Sequence, residues 1–200
     1  MARSGDVIEN PMFGMRIVFR ETGEETNGER LVMDAYLEPS HGYDQPHFHP
    51  GTEERITCKS GLMKGKWGDE DVTIEPGQTR VMPPGTPHVF LAEGPTEITF
   101  EFRPARRVET LFETLFGLAR DGKLPKSGRP RLLQTSVIFR EYKQEIRPAG
   151  APDFIIKALD RIAPIAWRLG RRPWYPEYTR AVPPREPGGE VTPVDGAAGR

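Results

Sequence analysis

Between Gly14 and Arg103, apolar residues come in short runs or in alternation with polar ones. Met15-Arg16-Ile17-Val18-Phe19, Leu31-Val32-Met33-Asp34-Ala35-Tyr36-Leu37 and Ile98-Thr99-Phe100-Glu101-Phe102 read as strands. Turn-forming residues separate these runs at Glu21–Gly28, Gly68–Asp71, Glu75-Pro76-Gly77 and Glu93-Gly94-Pro95. Many short strands at this spacing predict an antiparallel barrel or sandwich. The period changes after Pro104. Val108, Leu111, Phe112, Leu115, Phe116 and Leu118 repeat as one face of a helix over 107–120, which Gly122, Pro125 and Gly128 end. A second helix is expected over 132–146, with Leu133, Val137, Ile138 and Tyr142 on one side. A third is expected over 154–169, where Pro164 should kink or end it. From Pro183 to Arg200 the chain is rich in Pro and Gly and has almost nothing to bury. The expected organisation is therefore a mainly β fold: a barrel over 14–104, a helical extension over 105–180 packed on the barrel or on a partner subunit, and a disordered tail over 181–200.

Composition narrows the class. The 200 residues suit one domain with an appendage, and the formal net charge of −1 provides no global field to attract nucleic acid or acidic lipid. Apolar content is only 36%, with 21 Gly and 21 Pro, which fits a turn-rich fold. Cys58 is the only cysteine, so no disulfide can form within the chain, and a reducing, cytoplasmic setting is expected. On the inner face of a strand, Cys58 reads as a small apolar residue. Met1–Asn10 lacks the apolar centre of a signal peptide, and no apolar run is long enough to span a bilayer. The apolar third helix and the arginines from 168 to 172 suggest a membrane-surface element. Packing against the barrel or a partner explains the same face, so no membrane contact is expected.

The chain holds four histidines, and three of them fall in two short segments. His47 and His49 are two apart, so an extended strand would put both imidazoles on one face. Neutral imidazoles suit divalent Zn, Fe, Ni, Cu or Mn. The carboxylate that could join them is Glu53 or Glu54. Glu54 shares its strand face with Ile56 and Cys58, whereas Glu53 shares its face with Arg55, Thr57 and Lys59. The first face is the apolar one, so Glu54 is expected to point inward. A turn or bulge at Pro50-Gly51 must then correct the odd offset from His49. His88 follows Pro83-Pro84-Gly85-Thr86-Pro87, a rigid turn that would deliver it to the start of a strand. His41 lies apart and reads as a loop residue.

The two segments resemble the paired motifs of the cupin family. Gly42, His47, His49, Glu54 and Gly61 match G-x4-H-x-H-x4-E-x6-G, and Gly77, Pro83, Gly85 and His88 match G-x5-P-x-G-x2-H. The Asn that commonly follows in the second motif is Ala92 here; in the family that Asn is not a metal ligand. The resemblance covers roughly residues 30–103. It implies a double-stranded β-helix, or jelly roll, that holds one divalent transition metal through His47, His49, Glu54 and His88. It further implies a small-molecule substrate and a homodimer. Four protein ligands would leave about two positions open on an octahedral ion. The leading expectation is a dioxygenase-type oxidoreductase for a small enolic or phenolic compound, with Glu54 also acting as a base. A non-redox isomerase, cyclase or lyase, and a non-catalytic binding module, are the alternatives.

Overall fold

The computed structural model describes residues 2–179, apart from the side chain of Tyr43. The tail expected to be disordered, 181–200, lies outside them. The strands are β1 (Val7–Asn10), β2 (Met15–Glu21), β3 (Leu31–Leu37), β4 (Gly42–Phe48), β5 (Glu53–Ser60), β6 (Met63–Trp67), β7 (Glu70–Ile74), β8 (Thr79–Met82), β9 (His88–Ala92) and β10 (Thr96–Arg103). They are followed by α1 (Val108–Arg120), α2 (Leu132–Glu141), β11 (Arg147–Pro148) and α3 (Asp153–Arg168).

Two antiparallel sheets result, with strand orders β1-β2-β3-β10-β5-β8 and β11-β4-β9-β6-β7. Strands distant in sequence lie side by side, as β3 does with β10 and β4 with β9, which is a jelly-roll arrangement. Alternation along each strand explains the layering. On β10, Thr96, Ile98, Phe100 and Phe102 are buried while the residues between them stay partly open. Ile17, Phe19, Met33 and Ile56 of the first sheet share one core with Met63, Ile74 and Phe90 of the second.

The helical part departs from expectation in two places. First, α2 stops at Glu141 rather than running to Ile146. The carbonyls of Gln144 and Glu145 turn away to accept hydrogen bonds from Gly51 N and His49 Nδ1, so the chain leaves the helix to serve another element. Second, of the kink or end expected at Pro164, the end does not occur: α3 runs on to Arg168. Proline removes the donor that would have reached the Asp160 carbonyl. Arg140 of α2 supplies a replacement, its guanidinium donating to that carbonyl at 3.0 Å. Two short strands also lacked a sequence signal: β1, which pairs with β2, and β11, which pairs with β4.

Glu113 in the extension should contribute a pH dependence to stability. Glu113 of α1 is buried, and burial pushes its carboxyl up to about 7, with the Glu109 carboxylate adding to the effect. In the unfolded chain the group titrates near about 4.3. The folded state therefore holds a proton that the unfolded state releases between these values, and stability falls as pH rises through that window. Glu113→Gln should flatten the fall. Denaturant melts between about pH 5 and pH 8 should show the wild type losing up to about 3 kcal/mol that the variant keeps.

Candidate metal centre

The strand register brings the donors together. His47 lies directly across from His88 in the β4–β9 ladder, and Glu54 lies across from Phe102 in the β5–β10 ladder. The site thus straddles the two sheets. β4 ends at Phe48, so His49 sits one residue past the strand rather than on it. Its place is fixed by neighbours instead: its carbonyl accepts from Gly85 N at 2.9 Å, and the following turn is held by Gly51 N donating to the Gln144 carbonyl at 2.9 Å. The parity expectation for β5 holds. Glu54, Ile56 and Cys58 are buried, while Glu53 faces outward and pairs with Arg55 at 2.7 Å. Burial pushes the Cys58 thiol up, which suits a structural role. His41 stays apart, its Nδ1 donating to the Pro39 carbonyl.

The donor atoms of His47, His49, Glu54 and His88 all lie within 4.8 Å of one another. His49, Glu54 and His88 are buried; His47 keeps some exposure at the rim while its ring belongs to the same cluster. Each imidazole is oriented by a backbone carbonyl. His47 Nδ1 bonds the Gln45 carbonyl at 2.8 Å, His49 Nδ1 the Glu145 carbonyl at 2.5 Å and His88 Nδ1 the Thr86 carbonyl at 2.9 Å. A carbonyl oxygen can only accept, so Nδ1 carries the proton in every case. In a neutral ring each Nε2 then presents a lone pair.

Those lone pairs converge. Nε2 of His49 and of His88 lie 3.1 and 2.7 Å from Oε2 of Glu54, close enough for ion pairs. Yet none of these three buried atoms has a hydrogen-bond partner of acceptable geometry. Distance alone would pair them, but direction does not, and direction decides because a hydrogen bond weakens steeply off axis. Three buried polar atoms aimed at a common point need something there, and a cation satisfies all of them at once. Ligands about 2.1 Å from a transition metal stand at most about 4.2 Å from each other, so the cluster is close to the spacing required.

The electrostatics agree. Burial pushes His47 down to about 3, with His49 and His88 adding to the shift, so that ring is neutral. Burial alone would raise the Glu54 carboxyl, but His88 and His49 hold it below the ordinary carboxylate range. Burial opposes charge on His88, and Glu54 more than reverses this. An ionised carboxylate among imidazoles is a donor set for a divalent transition metal.

These donors open onto a cavity of about 80 Å3. Met63, Phe90, Phe100 and Phe102 line it from the sheets. Val108, Leu111, Phe112 and Leu115 of α1 line it from the extension, with Ile146 beside them. The four donor residues apart, no lining residue among the described ones has a polar side chain. Sequence reasoning found the donors but missed the α1 wall and the Glu145 carbonyl.

Comparison with known proteins matches part of the chain. The cupin domain model matches residues 33–101. No curated protein matches the chain. Among solved structures, KdgF from Halomonas sp. is 18% identical at a TM-score of 0.45, the match covering 50% of this chain and 87% of that one. An RmlC-like cupin from Shewanella frigidimarina is 15% identical at a TM-score of 0.45, covering 53% and 89%. Pac13 from Streptomyces is 14% identical at a TM-score of 0.42, covering 50% and 77%. No helix among the described residues is long and apolar enough to cross a membrane. Motif, jelly roll and family model coincide on residues 33–101, the segment that carries all four donors, and that segment matches a cupin domain.

Proposed function

We propose that the protein is a metal-dependent enzyme of the dioxygenase type, acting on a small enolic or phenolic compound with an apolar body. The observation that carries this reading is the contrast inside the cavity: four converging donors against walls of Phe, Leu, Ile, Val and Met. A divalent transition metal bound by His47, His49, Glu54 and His88 would supply Lewis acidity and a redox centre for O2. The protein groups do the rest. The three histidines are locked in one tautomer by their carbonyl partners. Among the described residues Glu54 is the only carboxylate on the cavity wall, so it is the group available to take the hydroxyl proton of an enol or phenol. The α1 wall keeps water from the reacting carbon. Away from the four donors, a sugar or a phosphate ester would find no side chain on these walls to bond its hydroxyls or its charge.

Anaerobic reconstitution with Fe(II), Mn(II), Ni(II) or Cu(II), followed by oxygen-uptake measurements on a panel of enols and phenols, tests the proposal. Uptake that depends on both metal and substrate is expected. Turnover with Zn(II) under nitrogen would instead establish the non-redox isomerase, cyclase or lyase reading, in which Glu54 moves a proton without O2.

A further inference from the structure

We infer that α3 is a docking element for an anionic lipid bilayer. The helix was expected to use its apolar face in packing, and it does so only in part. Leu159, Ala163 and Ala166 are buried, and Ala163 and Ala166 share a small core with Val137 of α2. A second apolar stripe remains open. Phe154 is 70% exposed, Ile165 56% and Leu169 63%. Advancing about 100° per residue, these three side chains fall within roughly 60° of one another around the axis.

The stripe is flanked by charge of one sign. Lys157, Arg161 and Arg168 are exposed on its border. Among the described residues no carboxylate pairs with any of them. The two acids of the helix, Asp153 and Asp160, fall farther round, beyond those cations. Exposed apolar residues beside unpaired cations match a surface that has hydrocarbon beneath a layer of phosphates. The same charges argue against a second copy of this chain as the occupant, because an antiparallel two-fold contact would set Lys157, Arg161 and Arg168 against their own kind. A bilayer surface also requires no shape complementary to a protruding helix. α3 is not long and apolar enough to cross a membrane, so it would lie along the interface.

The test uses the full chain and flotation with vesicles of phosphatidylcholine alone or mixed with phosphatidylglycerol. Binding to the mixed vesicles is expected, weakening in high salt, with little binding to phosphatidylcholine. Phe154→Ser combined with Leu169→Ser should weaken binding by at least about tenfold, as should Lys157→Glu combined with Arg161→Glu. Circular dichroism and melting curves establish that these exposed substitutions leave the fold intact. Wild-type protein that ignores the mixed vesicles overturns the inference, as does binding that both variants retain. A concentration-dependent dimer abolished by Phe154→Ser/Leu169→Ser, without vesicle binding, overturns it in favour of self-association. Capture by polyglutamate but not by vesicles overturns it in favour of an acidic protein partner.

Discussion

Glu54→Gln should weaken metal binding by at least about 100-fold, since disturbing even the groups that merely orient ligands costs 10–100-fold. The substitution preserves shape and removes only the charge. In the wild type, one carboxylate oxygen stands between Nε2 of His49 and Nε2 of His88. A neutral amide in that place supplies a weaker donor and no compensation for a divalent cation in an apolar cavity. Chelator competition and elemental analysis of protein purified without a metal-binding tag provide the measurement. Near-stoichiometric metal in the wild type and loss in the variant is the expected pair of results. Equal metal content in both would remove Glu54 from the ligand set. The core strands do not depend on this charge, so the variant should stay folded.

Gly65→Ala should have the largest effect on stability, at least about 3 kcal/mol. Gly65 lies on β6 opposite Phe90 of β9, and a Cβ there would stand 1.8 Å from the Val89 carbonyl oxygen and 2.8 Å from the Phe90 Cα. Both are backbone atoms, so no rotamer change relieves the clash, and the strands must separate. The damage would reach the donors, because β9 begins at His88 and the same ladder pairs His88 with Trp67. Denaturant unfolding should show the loss, and any folded fraction should bind metal less tightly than the wild type.

The sequence made the donors legible because their positions obey simple rules. Two-residue periodicity separated Glu54 from Glu53, and the proline-rich turn before His88 placed that residue at the head of a strand, as the structure shows. His49 was harder. The spacing suggested a shared strand with His47, but the strand ends between them, and His49 is held by the carbonyl of a residue 96 positions away. A carbonyl is common to every residue type, so such a partner leaves no mark in the sequence. β11 was invisible for a related reason: two residues are too few to show any period. Pro164 left a kink and an end both open because its cost is local, whereas the group that bonds the freed carbonyl, the Arg140 guanidinium, comes from another helix.

The carbonyl that orients His49 has a consequence for how the molecule divides. All four donors precede Arg103, so a chain cut there would still spell the full motif. It would nevertheless leave one imidazole free to spin, and would strip the cavity of the wall that α1 provides. Sequence modules and working parts therefore have different borders in this protein: the supports of the candidate metal centre end not with β10 but at the segment beyond α2.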